Sequence, residues 1–448
     1  MTSRLLARGT SVFAAGALVW VALPVASADQ IRDQQWALKS FAAETKVWPS
    51  SQGDGIVVAV IDTGVNQEHQ DLIGQVLPGA DFSGGGTDGR VDTDGHGTGM
   101  ASLIAGHGHG AQAGIMGLAP KAKILPVKVR TDGDGPDSQP SPDSQQNDLA
   151  DAIRFATDHG AKVASISLGG RSRFDSRLRK AVNYAISKDV VLVSSTGNTG
   201  ADMDVEYPAA FPGVVAVGAV DVNGAVWEKS TSGPETTLTA PGVGIYRATA
   251  KSSTDAERRS GTSDATAYVS ATAALIRSKH PSLSAGQVIN RMIKTATPPA
   301  NGSVVPNNHY GYGTVAPAKA LEADPAVDNG PTENPLVKRP ESKGAPPVDD
   351  DADATDQPSV APVVPAADGG GNGGDGTGLV LGAAAAGAVV IGASVAAVLA
   401  ARRRRRRRTA TAAAAAWQQQ QPPPYQDSQQ YSHQPPQDRR PPHGGPGR

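Results

Sequence analysis

Between residues 56 and 220 the chain alternates short apolar runs with longer amphipathic stretches. The runs at 56–61 (IVVAVI), 124–129 (ILPVKV), 163–167 (VASIS), 190–193 (VVLV) and 214–220 (VVAVGAV) are nearly continuous and rich in Val and Ile. That is the pattern of strands buried on both faces. The stretches 149–158 and 178–188 place their apolar residues at helical spacing instead. Strands alternating with such helices predict an α/β fold, a doubly wound domain with a central parallel sheet and helices on both faces. The polar run 131–146 (TDGDGPDSQPSPDSQQ) reads as an exposed loop insertion.

Outside this body the pattern changes. An apolar run at 12–23 follows Arg4 and Arg8 and precedes Ala26, Ser27 and Ala28, so residues 1–28 read as an export signal cleaved after about Ala28. Residues 29–325 form the expected folded body. Residues 326–378, rich in Pro, Asp, Ala and Gly without apolar periodicity, read as an extracellular stalk. Residues 379–400 carry no charge, and at ~1.5 Å per residue a helix there would reach ~33 Å, matching a hydrocarbon thickness of ~30 Å. Seven arginines, Arg402 to Arg408, follow at once, and basic flanks stay on the cytoplasmic side. The expected topology is a single-pass cell-membrane protein, body outside, with a basic then Gln- and Pro-rich tail at 401–448 inside.

The 448 residues include no Cys, which removes disulfides, cysteine nucleophiles and thiolate-bound metals. Any nucleophile is therefore oxygen or nitrogen based. The near-neutral total of -2 conceals a split, because residues 401–448 hold ten Arg and two Asp while residues 29–400 hold 29 basic and 41 acidic residues. So acidic a body speaks against a nucleic-acid partner, which requires clustered Lys and Arg.

Three short segments carry candidate chemistry. Asp62 ends the first strand in IVVAVIDTGV, at the strand end where parallel sheets open onto their ligand crevice. His96 lies between glycines in DTDGHGTGMASLIAG, where a helical pattern begins, and Ser263 opens an Ala-rich helix in SGTSDATAYVSATAALIRS. A helix start favours negative charge, although a serine there is ordinarily a cap. A serine hydroxyl is a weak nucleophile at neutral pH, so an imidazole must take its proton during attack.

In this chain order the segments IDTGV, DGHGTGMAS and GTSDATA resemble the subtilisin-like serine proteases over about residues 50–320. The resemblance implies a doubly wound α/β fold, with Asp62 as orienting carboxylate, His96 as general base then acid, and Ser263 as nucleophile. VVLVSSTGNTG is similar to the family's oxyanion motif, which makes Asn198 an oxyanion donor. SISLGG resembles the strand that pairs with an extended peptide substrate, and Ser194 to Gly197 resemble the opposite wall of its pocket, so Ser167, Leu168, Gly169 and Gly197 are expected substrate-binding residues; Leu168 reads equally well as core. No cofactor or metal is implied, and no calcium-ligand ladder is recognisable. Asp92 and Asp94 read as solvated turn residues rather than calcium ligands, and His107 and His109 as loop residues rather than a metal pair.

The segment DQIRDQQWALKSF before the first strand, together with the stalk, span and tail, resembles the mycosins, membrane-anchored subtilisin-like proteases associated with type VII secretion. That branch implies an amino-terminal segment that wraps the catalytic body, with Trp36 and Trp48 as contacts, and a secretion membrane complex as partner. A degradative protease and a scaffold whose proteolysis is dispensable are the two other classes. Two positions depart from the family pattern. Asp264 stands where an apolar residue is usual, and is expected to face solvent or cap the helix, with tuning of His96 or of substrate charge, or an inactive enzyme, as the alternatives; Ala267 stands where Pro is usual.

Overall fold

Continuous Val, Ile and Ala runs need apolar cover on both sides, and the chain supplies it with helices above and below one sheet. The computed structural model describes residues 30–110, 112–129, 142–170 and 175–340. The chain divides into two units, Met1–Ala367 and Asp368–Arg448, and every described residue belongs to the first. Its strands are β1 (Val57–Asp62), β2 (Ala80–Asp81), β3 (His107–His109), β4 (Ala113–Met116), β5 (Lys123–Lys128), β6 (Val163–Ile166), β7 (Val191–Ser195), β8 (Val215–Val220), β9 (Thr236–Pro241), β10 (Ile245–Ala248) and β11 (Ala256–Arg259). Its helices are α1 (Gln30–Gln34), α2 (Trp36–Ser40), α3 (His96–Ala105), α4 (Pro142–Asp158), α5 (Ser176–Ser187), α6 (Thr262–Lys279), α7 (Ala285–Thr295), α8 (Pro317–Ala320) and α9 (Pro325–Asp328).

Seven strands form one sheet in the order β2-β5-β1-β6-β7-β8-β9, every pairing parallel. Alternate residues along a strand face opposite sides. Val58 and Val60 accordingly join Met100, Leu103 and Ala267 in one core cluster, on the side of α3 and α6. Ala59 and Ile61 join Ile153 and Val182 in the second, beneath α4 and α5. The chain leaves β1 for β5 on one side and returns to β6 on the other, so the order reverses beside β1. Ligand crevices open at such a reversal, beyond the carboxyl ends of the strands. Asp62 is the last residue of β1.

The amino-terminal segment wraps this body. The indole of Trp36 donates to the Val243 carbonyl at 3.1 Å and that of Trp48 to the Leu118 carbonyl at 3.0 Å. Gln35 and Met116 exchange two hydrogen bonds of 2.9 and 3.0 Å, while Leu38, Phe41 and Val47 enter the first core.

Two boundaries differ from those expected. Residues 142–146, expected as loop, are the first turns of α4, begun by a proline at its first position, where the ring's fixed φ suits a helix. The stalk does not begin at 326, because Val327, Asn334 and Leu336 are buried. The guanidinium of Arg339 donates to the carbonyls of Phe211, Glu235 and Ala209 at 2.6, 2.7 and 3.0 Å. Residues 326–339 therefore belong to the folded body. The expected signal, the remainder of the stalk, the span at 379–400 and the tail at 401–448 lie outside the described residues, as does 131–141. Among the described residues no helix is long and apolar enough to cross a membrane.

Arg339→Ala should lower unfolding stability by about 2–4 kcal/mol, because it strands several buried carbonyls that now accept from a charged donor. Chemical denaturation of the full chain reads that loss, and limited proteolysis should cut first within 326–339.

Candidate active site

Asp62 and His96 meet because a strand end and a helix start approach closely. His96 is the first residue of α3, and its neighbour Gly97 has no room for a side chain: a Cβ there would lie 2.1 Å from the Gly64 carbonyl and 3.0 Å from the Asp62 Cβ. The preceding residue Gly95 holds φ at 101°, a region that glycine adopts without strain. These two glycines let His96 Nδ1 donate to Asp62 Oδ1 at 2.7 Å. Asp62 is fully buried, and the same oxygen accepts the Thr63 amide at 2.8 Å. Its other oxygen, Oδ2, is buried with no partner among the described residues.

Asp92 organises this turn. Its Oδ1 accepts from Thr63 Oγ1 at 3.0 Å and the Gly95 amide at 2.8 Å, while its Oδ2 accepts from Thr98 Oγ1 at 2.6 Å and the Thr98 amide at 2.9 Å. Thr63 Oγ1 in turn accepts the Gly97 amide at 2.9 Å. The expectation of a solvated turn fails for Asp92, which is only 9% exposed, because those donors replace water. Burial raises its carboxyl above the usual range, against the hydrogen bonds from Thr98 and Gly95. Asp94 does remain exposed and accepts the His96 amide at 3.1 Å.

Ser263 is the second residue of α6, and its hydroxyl donates to the Ser167 carbonyl at 3.2 Å. It does not bond to His96 in this conformation, whose Nε2 has no hydrogen-bond partner among the described residues. Asn198 is fixed from the same helix start. Its Oδ1 accepts from the Thr262 amide at 2.9 Å and from Thr262 Oγ1 at 3.0 Å. A backbone amide can only donate, so the side-chain oxygen must face Thr262 and the NH2 group is left for another acceptor.

His96, Asn198 and Ser263 line one cleft of about 320 Å³, together with Asp94, Arg247, Glu257 and Asp264. Asp62 sits directly behind the imidazole. Of the expected substrate-binding residues, Ser167 touches Ser263, while Leu168 packs against the second core cluster. Gly169 and Gly197 face Glu206 and Tyr207: a Cβ on Gly169 would meet Glu206 Oε2 at 3.0 Å, and one on Gly197 would meet Glu206 Cδ at 2.8 Å. None of those four lines the cleft itself.

Asp264 departs from its expected solvent or capping role. It is 1% exposed and pairs with Arg247 at 3.3 Å. Nothing in the sequence marked Arg247, which lies 16 residues before Ser263 in an otherwise ordinary polar segment. His107 and His109, expected as loop residues, are the two ends of β3 and turn to different partners: His107 Nε2 donates to the Ile73 carbonyl at 3.0 Å, and His109 Nδ1 pairs with Asp71 at 2.6 Å. Among the described residues no cluster of three or more His, Asp or Glu is placed to hold a metal.

Burial works against the charged imidazole of His96, but the adjacent Asp62 charge and hydrogen bond outweigh it, and the pKa lies above the ordinary 6.5. Such an imidazole accepts a proton readily and is held in one tautomer. Combined with a hydroxyl and an amide donor that has no partner among the described residues, all in one cleft, it can support nucleophilic acyl transfer.

Comparison with known proteins agrees with that chemistry. The subtilase family pattern matches residues 53–313. Subtilisin DY of Bacillus licheniformis is 37% identical over 250 residues, covering 55% of this chain and 85% of that protein. Thermitase of Thermoactinomyces vulgaris is 39% identical over 246 residues, covering 53% and 81%. Among solved structures, MycP1 from Mycobacterium smegmatis superposes with a TM-score of 0.58 at 28% identity, over 70% of this chain and 89% of that one. The MycP3 protease from the type VII (ESX-3) secretion system does so with a TM-score of 0.56 at 33% identity, over 65% and 88%.

The raised His96 pKa has a definite sign. Its contribution to stability is complete below the unfolded imidazole value and is lost as pH rises through the folded one. Asp62→Asn should bring the His96 ring midpoint down, since a neutral amide supplies no charge. Ring-proton NMR titration checks this, and an unmoved midpoint would show that the pair is not coupled.

Proposed function

This chain belongs to the subtilase family and is a subtilisin-like serine protease with mycosin structural neighbours, and on that premise we propose that Asp62, His96 and Ser263 act as its catalytic triad. The observation that carries the reading is the 2.7 Å bond from Asp62 to His96, whose ring lines the cleft together with Ser263 and Asn198.

In the proposed reaction a peptide bond enters the cleft in extended form. Rotation about the Ser263 side chain turns its hydroxyl from the Ser167 carbonyl to His96 Nε2. Oγ attacks the carbonyl carbon while Nε2 takes the proton, and Asp62 stabilises the imidazolium without itself becoming protonated. The carbonyl oxygen becomes an oxyanion that accepts from the Asn198 side-chain amide and the Ser263 backbone amide. The latter belongs to the first turn of α6, where amides have no partner within the helix. His96 then returns the proton to the departing amine, leaving an acyl ester on Ser263. Water, deprotonated by His96, hydrolyses that ester and restores the hydroxyl.

We further infer that the protease is anchored by residues 379–400 with its catalytic body outside the cell, and that it works with a type VII secretion complex on exported proteins. The uncharged span followed by Arg402 to Arg408 supports the anchor. The likeness to MycP1, described as an essential component of the type VII (ESX-1) secretion system, supports the partner.

A fluorophosphonate probe should label the full chain at Ser263 and leave Ser263→Ala unlabelled; equal labelling of the two would remove the assignment. Asn198→Ala should keep probe access while lowering kcat by about 10²–10³, the effect of losing one oxyanion donor. Steady-state hydrolysis of an extended peptide checks it.

A further inference from the structure

A buried carboxylate lies one residue after the nucleophile, beside the amides that would receive an oxyanion. Asp264 is the third residue of α6, and its Oδ2 has no hydrogen-bond partner among the described residues. The amides at this helix start are the groups that would receive an oxyanion, and a second negative charge beside them opposes its formation. The fold answers with a buried cation. Arg247, on β10, is 6% exposed and places Nη1 3.3 Å from Asp264 Oδ1 and Nη2 3.3 Å from Glu257 Oε1.

The space for that guanidinium is built into α3. Gly99 lies one turn beyond His96, and a Cβ there would stand 2.7 Å from Arg247 Cδ and 3.0 Å from Nε. The strand is pinned to the same helix, because the Ala248 amide donates to Ser102 Oγ at 3.0 Å. Arg247 thus passes between the helix that carries His96 and the helix that carries Ser263, and lines the same cleft.

We propose that Arg247 is a positioning residue of the active site, which neutralises Asp264 so that the oxyanion forms beside an ion pair rather than beside a lone carboxylate. The proposal rests on the catalytic reading of Ser263 and His96 given above. It also assigns Gly99 the role of admitting the guanidinium, and Glu257 that of holding its far side. Glu257 itself is shared with Arg259 at 3.0 Å and Lys251 at 3.8 Å, so Arg247 keeps enough unshared charge to serve Asp264.

The charges facing His96 give the pair a signature that a purely structural bridge lacks. Asp62 faces the imidazole from β1, Arg247 from β10 and Asp264 from α6, with Asp92 and Asp94 on its own turn and Glu257 beyond Arg247 on β11. Asp264 favours the imidazolium and Arg247 opposes it. Burial drives the Asp264 carboxyl above the ordinary range, and Arg247 is the foremost influence drawing it back. Removing Arg247 should therefore raise the His96 midpoint, and removing Asp264 should lower it. Activity requires the neutral imidazole, so the acidic limb of the rate profile must move in the same directions.

The test is the pH dependence of kcat/KM for peptide hydrolysis by the full chain, with fold checked by denaturation. Arg247→Met should reduce kcat/KM about tenfold or more on the high-pH side of the profile and shift the acidic limb upward. The double variant Arg247→Met with Asp264→Met should recover to within about threefold of wild type, because a buried ion pair is replaced by an apolar one. Asp264→Met alone should shift the limb downward, and this arm stands even if Arg247→Met does not fold. Gly99→Ala should reproduce Arg247→Met without removing a charge. An unchanged profile in Arg247→Met, a double variant as impaired as the single, or an unmoved limb in Asp264→Met would overturn the proposal while leaving the triad intact. A wild-type chain that neither labels nor hydrolyses would overturn the catalytic reading and this inference together.

Discussion

The hydrogen bond between Asp62 and His96 is the contact on which the arrangement turns, because it joins the end of a central strand to the start of a helix across a very small gap. Its length of 2.7 Å is possible only where the backbone of α3 lies against the loop after β1. Gly97 removes the side chain that would block this approach, and Asp92 gathers Thr63, Gly95 and Thr98 around it. A turn fixed by so many donors holds the imidazole without help from substrate. That is the kind of preorganisation through which an active site avoids rearranging during reaction.

The sheet explains why the remaining groups arrive at the same rim. β1, β6 and β7 are neighbours and parallel, so the residues that follow them emerge at one edge. Asp62 comes from the first, Ser167 from the second and Asn198 from just beyond the third. Helix α6 packs against these strands and presents Ser263 and Asp264 at its first turn, over that edge. The cleft that results is strongly charged, and its charges are mostly spent on one another: Asp264 on Arg247, Arg247 on Glu257, Glu257 on Arg259. Electrostatic balance there is set by tertiary contact rather than by proximity along the chain.

Much of this could be read from the residues, and the exceptions share a cause. The runs that became β1, β5, β6, β7 and β8 announced themselves because two-sided burial demands unbroken apolar sequence. β9, with the sequence TTLTAP, is wholly buried yet hides behind threonines whose hydroxyls find partners such as Gly313 and Thr314. The β10–β11 hairpin, IYRA against AERR, has only four residues per strand and mixes buried Ile245 and Ala248 with Arg and Glu, too short a stretch to give a periodic signal. That Asp62, His96, Ser263 and Asn198 gather at one rim was legible because each sits in a short motif with its own local reason. Asp264 was not, since a carboxylate in a first helical turn normally faces water, and only the distant Arg247 makes burial tolerable. Residues 326–339 looked like linker for a similar reason: Arg339 and Leu336 attach them to partners more than a hundred residues away.

The most direct measurement of the central claim is a crystal structure of the catalytic body carrying a covalent phosphonate. The expected result is an adduct on Ser263 Oγ, with that side chain turned away from the Ser167 carbonyl, the phosphoryl oxygen within hydrogen-bond reach of the Asn198 amide, and His96 Nε2 facing Oγ while Nδ1 stays on Asp62. An adduct on another residue, or one on Ser263 with His96 parted from Asp62, would contradict it.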